Sequence, residues 1–365
     1  MQIAHIETIP EVLAVAKIIV LAAVSFVLTM IFTPLWAHIL YKYKIGIKIK
    51  TKSVDGKKLT YVGKLHAHKG GTPTMGGVLI WGSVVILALV MNWLAPFLSE
   101  VFHNVWLSRL DFVSRSQTWL PLFALVTTAL LGLADDWMSI KGIGGNKGGG
   151  MQFVWRMFWL LGITLVGGLW FYNKLEWNSI HIPAVGDVVI GLWYIPLFMF
   201  IVAATAFSSN ETDGLDGLNA GILVQAFTAF AVIAFFQGRM DLAGFCGVVA
   251  GALLAFLWFN FYPARFFMGD TGAFSLGATL GVVALLLNSV LVLPFLVSIY
   301  VMETLSVFIQ LASKKFRRKK VFLAAPLHHH FEALGWPETK VTVRFWILNA
   351  VVAIIGLMIG IVGGG

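Results

Sequence analysis

Apolar runs of about 20 residues, the length that crosses roughly 30 Å of hydrocarbon as an α-helix, recur along the whole of this chain. They leave no stretch long enough for a separate soluble domain, so a single domain over 1–365 is expected. Backbone exposed to lipid must satisfy its own hydrogen bonds, and these runs are too long and continuous for barrel strands with alternating faces. The fold class is therefore all-α and polytopic. With 59% hydrophobic residues, 12% charged and a mean hydropathy of +0.86, the composition lies well outside the soluble range.

Ten spans are expected, at 18–40, 74–95, 118–137, 153–172, 188–209, 218–237, 241–260, 273–288, 290–311 and 343–362. An even number puts both termini on one side. Of the 26 Lys and Arg, 20 fall in the alternate loops 41–73, 138–150, 261–272 and 312–344, whereas the opposite set holds Lys17, Arg109, Arg115, Lys174 and Arg239. Arg156 lies just inside the fourth span. Cytoplasmic loops are the basic ones, so the termini are expected outside. The net charge of +9 sits in short juxtamembrane loops, where anionic lipid is the ordinary partner and nucleic acid is not implied. The run 314–320 is first a topology anchor and second a possible landing surface for phosphates. The aromatic outward loop 96–118 suits the membrane interface. The single cysteine, Cys246, implies no disulfide framework. The first 17 residues do not look like a removable signal peptide.

Against this background the stretch NETDGLDGL (210–218) stands out. Its three acids at the edge of hydrocarbon are costly unless a cation compensates them. Asp213 and Asp216, three apart, would project from one face of a helical turn, although Asp216 could instead N-cap the sixth span. Asp135 and Asp136 close the third span near a helix C-terminus, where the macrodipole disfavours negative charge; adjacent carboxylates also call for a metal, a base or a shared proton. Asp270, in FFMGDTGAFSLG, is either a helix cap or a ligand. Five acids on one membrane face, with Asn210 and Asn260 beside them, favour an oxygen-ligated cation, and Mg²⁺ is the expected ion because it keeps waters and bridges phosphates. Lys69, in KGGTPTMGG (69–77), could meet a phosphate, and Lys147 lies in a glycine-rich loop. His328, His329 and His330 are adjacent, which suits phosphate contact or loop ordering better than zinc.

These stretches, with WFNFYPARFFMGDTG (258–272), ETLSVFIQ (303–310) and APLHHHFEALGWPETKVTVRFW (325–346), resemble the phospho-N-acetylmuramoyl-pentapeptide transferases, within the polyprenyl-phosphate N-acetylhexosamine-1-phosphate transferases. The resemblance spans nearly the whole chain, and the triple-His segment is its most specific part. It implies ten transmembrane helices, a bacterial cytoplasmic membrane location, an Mg²⁺-dependent site facing the cytoplasm and a homodimer. It also implies transfer of phospho-MurNAc-pentapeptide from UDP to undecaprenyl phosphate, giving lipid I and UMP. By motif match, Asp270 and Asp213 would hold or neighbour Mg²⁺, and Asp135 and Asp136 would serve the acceptor phosphate. Lys69, Thr74, Asn210, Asp216, Asn260 and Phe267 would line the donor region, with Phe267 facing uracil. His328, as a catalytic group, and His329 and His330, as binding groups, would contact phosphate or position the sugar-peptide part. Two departures are Glu211, where the family has an apolar residue, and the glycine-rich surroundings of Lys147. A GlcNAc-1-phosphate transferase of the same superfamily is the alternative; an ion-coupled transporter is a remoter one, because transporters bind near the bilayer midplane.

Overall fold

The computed structural model describes residues 2–43, 45–46, 69–114, 117–144 and 149–363, with side chains from residue 12 onward. Lys147, Arg115 and most bases of the first basic loop lie outside the described residues. In chain order the helices are α1 (Gln2–Lys42), α2 (Gly77–Val101), α3 (Val105–Ser108), α4 (Trp119–Lys141), α5 (Phe153–Lys174), α6 (Tyr194–Thr212), α7 (Leu218–Phe236), α8 (Met240–Asn260), α9 (Gly269–Leu286), α10 (Leu293–Leu296), α11 (Ser298–Phe316), α12 (Leu327–Ala333) and α13 (Glu338–Val362). Among the described residues, nine of these are long and apolar enough to cross a membrane. The chain is thus an all-α polytopic membrane protein.

The bundle is organised around α9, which is buried from Thr271 through Leu286. Helices α4, α6, α2 and α7 pack on it, α8 joins α7 to α1, and α13 covers α7 and α10. With lipid as solvent there is little apolar gain in bringing helices together, so close packing of small residues carries the contact. Gly272 of α9 lies against Gly77 of α2, and Gly277 lies against Thr205 and Ala206 of α6. Gly132 of α4 makes a tight crossing at the site: a Cβ there would strike the backbone of Asp270 and Thr271. Ser275 and Thr279 satisfy their hydroxyls on carbonyls one turn back, at 2.7 and 2.6 Å.

Three features differ from expectation. The apolar stretch 290–311 is two helices: α10 ends at Val297, where the backbone leaves the helical region (φ −125°, ψ 47°), and α11 starts at once. Length and hydropathy could not show that α11 carries a buried polar face of Glu303, Ser306, Gln310 and Ser313. A short antiparallel hairpin, β1 (Ser179–Ile182) with β2 (Gly186–Val189), lies between α5 and α6, and its last two residues take the start of the span expected at 188–209, whose helix begins only at Tyr194. In the aromatic loop Phe112 is fully buried instead of interfacial, packed against Gly244 of α8, while Phe102 is exposed.

Candidate active site

The ends of α4, α6 and α8 meet the starts of α5, α9 and α13, and the acids singled out above collect there. Helix α4 continues to Lys141, so Asp135 and Asp136 sit inside its last two turns, not at its terminus, and both are buried. The Asp136 carboxylate accepts the backbone N–H groups of Asp270 (3.2 Å) and Thr271 (3.1 Å). It thereby takes up the unpaired donors at the start of α9 and favours that helix end electrostatically. The Thr271 hydroxyl donates to the Ala129 carbonyl at 2.9 Å, tying α9 to α4 a second time.

Asp270 does not cap α9. Its carboxylate accepts from Asn210 Nδ2 at 2.7 Å and lies 3.6 Å from Arg156 Nη1. Its side chain is 28% exposed, against 2% for Asp135. Asp135 accepts the Met151 N–H at 2.5 Å on one oxygen and faces Arg156 Nη2 at 2.5 Å on the other. Asp213 ends α6 and accepts the Gly269 N–H; burial first, and then the neighbouring Asp270 charge, pushes its pKa up to about 7.

A second cluster adjoins the first. Lys69 Nζ donates to Asp216 Oδ1 (2.6 Å) and Glu338 Oε1 (2.5 Å), and sits 5.5 Å from the centre of the Phe267 ring. Asp216 does not cap α7: its other oxygen accepts the Ala264 N–H at 2.9 Å, and its own N–H donates to Glu338 at 2.6 Å. Asn260 receives the Gly217 N–H and donates to the Phe266 carbonyl, which fixes the loop before α7. Thr74 reaches this end because segment 73–77 pairs with 267–268: the Phe267 N–H donates to Pro73, the Gly76 N–H to Phe267 and the Gly77 N–H to Met268, all at 2.8 Å. At Gly269 (φ +75°) any side chain would strike Thr74 Oγ1 and Asp136 Oδ2, so only glycine allows this junction.

The three histidines face three ways. His328 is fully buried; its N–H and that of Leu327 both donate to Glu303, and its Nδ1 lies 3.2 Å from Glu303 Oε2. Its Nε2 abuts Gly214, so the ring underpins the 210–218 loop. Burial lowers its pKa, but Glu303, Glu332 and Glu338 outweigh burial and raise it. His329 Nδ1 pairs with Glu332 at 2.8 Å, and His330 Nδ1 accepts the Leu323 N–H at 3.2 Å. Glu303, Glu338 and Arg156 are the residues that sequence patterns did not single out as site members. The available signal was an ionisable group inside or abutting an apolar run, which is costly without a partner.

Among the described residues, no three acidic, histidine or cysteine side chains are arranged to enclose a metal ion by themselves. The candidate ligands are the carboxylate oxygens of Asp270 and Asp213, to the first of which Asn210 turns its amide nitrogen. They fit a hard cation that takes one or two carboxylates and completes its shell with water and phosphate.

A membrane bundle that gathers carboxylates, an arginine and a lysine at one end has the makings of a phospho-sugar transferase, and residues 118–288 match the model for glycosyl transferase family 4. That match holds Asp135, Asp136, Arg156, Asp213 and Asp270, while Lys69 and His328, His329 and His330 lie beyond it. The chain belongs to the phospho-N-acetylmuramoyl-pentapeptide-transferase family. It is 38% identical to the member from Chloroflexus aggregans over 364 residues, 96% of this chain and 91% of that protein. Identity is 37% over 337 residues with the Clostridium novyi member (92% and 94%) and 36% over 349 with that of Geobacillus thermodenitrificans (94% and 98%).

Proposed function

We infer that this chain transfers phospho-MurNAc-pentapeptide from UDP-MurNAc-pentapeptide to undecaprenyl phosphate, forming lipid I and releasing UMP. The observation that carries the inference is the joining of Asp135, Asp136, Asp213 and Asp270 at one end of a buried α9 in a chain of this family. In phosphoryl transfer the protein mainly positions groups and balances charge, and each cluster has a part in that.

We assign Mg²⁺ to Asp270 and Asp213, with Asn210 orienting Asp270; when bound, the ion supplies charge neutralisation on the diphosphate. Asp136 holds Asp270 in place through the two α9 amides, and Asp135 orients or deprotonates the acceptor phosphate. Lys69, Asp216, Asn260, Thr74 and Phe267 form the donor-binding wall. Glu338 belongs to that wall because it shares Lys69 with Asp216. The His328 ring supports the Asp213 loop from beneath, while His329 and His330 stand nearer the surface and suit contact with the sugar-peptide part. The basic bias of one set of loops supports a cytoplasmic placement of this end, where a soluble donor meets a lipid-linked acceptor at the bilayer edge. Family resemblance supports a homodimer.

Donor competition tests the assignment. Purified protein given undecaprenyl phosphate, Mg²⁺ and equal UDP-MurNAc-pentapeptide and UDP-GlcNAc should yield lipid-linked MurNAc-pentapeptide by mass spectrometry. A GlcNAc-linked product alone would move the chain's activity to the sister reaction.

A further inference from the structure

Arg156 stands in the first turn of α5, where a cation meets the positive end of the helix dipole. Capping therefore gives no reason for it. Its side chain is 17% exposed and its fork straddles two carboxylates from different helices: Nη2 lies 2.5 Å from Asp135 of α4, and Nη1 lies 3.6 Å from Asp270 of α9. The guanidinium sits 5.3 Å from the centre of the Phe274 ring, and its buried Nε has no hydrogen-bond partner among the described residues. A lysine ammonium is a single point charge and would not present two separated donors in this fixed plane.

We propose that Arg156 is a placeholder cation: it bridges Asp135 and Asp270 while the site lacks a divalent ion, and it yields Asp270 when that ion binds. The inference rests on the assignment of the metal to Asp270. The two halves of the bridge are unequal, which sets the order of release. The Asp135 half is short and buried, and Met151, five residues upstream of Arg156, also donates to Asp135. The Asp270 half is longer and ends on the more exposed carboxylate. A cation arriving from water therefore displaces the arginine from Asp270 and leaves it on Asp135, beside the place assigned to the acceptor phosphate. Two carboxylates on neighbouring helices would otherwise repel each other. The cost of this device is competition, so a divalent ion on its own binds weakly and binds best when phosphates join it.

The test reads the ion directly. Mn²⁺ binding to the purified protein in detergent, without substrates, is followed by the loss of the free-ion EPR signal. R156Q should bind Mn²⁺ roughly tenfold tighter than the parent, because one charge close to the ion is removed, even as its turnover falls. R156K, which serves one carboxylate at a time, should tighten binding by about threefold. Monodispersity and the thermal midpoint establish that each variant is folded; should R156Q fail to fold, R156K carries the test. Unchanged or weaker Mn²⁺ binding in the folded variants overturns the proposal. D270N separates the two assignments: if it binds Mn²⁺ as the parent does, the metal assignment itself fails, whereas weaker binding by D270N without tightening by the Arg156 variants refutes the placeholder alone.

Discussion

The crossing of α4 and α9 at Gly132 yields a sharp contrast between two glycines. A Cβ at Gly132 would stand 2.6 Å from Thr271 Cα and still closer to the Asp270 carbonyl, all of it backbone that no rotamer change can move aside. Ordinary carbon contacts begin near ~3.5 Å, so Gly132→Ala must push the two helices apart by about 1 Å. That displacement falls on Asp270 itself and stretches the hydrogen bonds that the Asp270 and Thr271 N–H groups donate to Asp136, and a misplacement of ~1 Å can lower rate by about 100-fold. Gly162, in the middle of α5, has nothing among the described residues within 4 Å of the equivalent position. Gly162→Ala should leave activity intact and raise stability by up to ~1 kcal/mol, the ordinary helix preference for alanine. The assay is kcat/KM for UMP release, with thermal midpoints of both variants in the same detergent. If Gly132→Ala keeps parental activity and gains stability as Gly162→Ala does, then α9 is not held at Asp270 by this crossing, and the account of how Asp270 is positioned fails.

Further tests bear on single groups. Asp270→Asn should abolish turnover in a folded protein, and near-parental activity at saturating Mg²⁺ would remove Asp270 from the metal. Lys69→Met leaves Asp216 and Glu338 buried without their shared cation and should cost about 3–5 kcal/mol of stability, whereas Glu338→Gln keeps Asp216 on the lysine and should cost less than ~2 kcal/mol; equal shifts in midpoint would contradict the shared-lysine arrangement. With the Asp213 pKa near 7, the carboxyl is mostly protonated below that pH and a metal must displace the proton. Divalent-ion affinity should therefore climb through pH 7 and level off above it, and a flat profile between about pH 6 and 8 would take Asp213 out of the ion's reach.

The spans were legible because lipid allows few solutions to the backbone hydrogen-bond problem, and the acids were legible because charge at the hydrocarbon edge needs a partner. The partners themselves were not. Lys69 meets Glu338 across 269 positions of chain and Asp135 meets Arg156 through the docking of α5, contacts that no local periodicity encodes. Hydropathy also hid the break at Val297, since it reads the apolar stretch 290–311 as one run and is blind to the buried polar face that α11 carries. Capping preferences pointed Asp216 and Asp270 at their own helices, yet tertiary bonds to Lys69, Ala264, Asn210 and Arg156 claim both carboxylates. The triple-His segment was legible as a motif, but that His328 lies wholly beneath the Asp213 loop follows only from the packing of Glu303 and Gly214 around it.

The most direct measurement is UMP release by the purified protein supplied with UDP-MurNAc-pentapeptide, with undecaprenyl phosphate and Mg²⁺ added or withheld in turn, and with EDTA as a control. Release that requires both acceptor and metal is the expected result. Release without acceptor, release that survives EDTA, or silence from a folded sample with every component present would contradict the account.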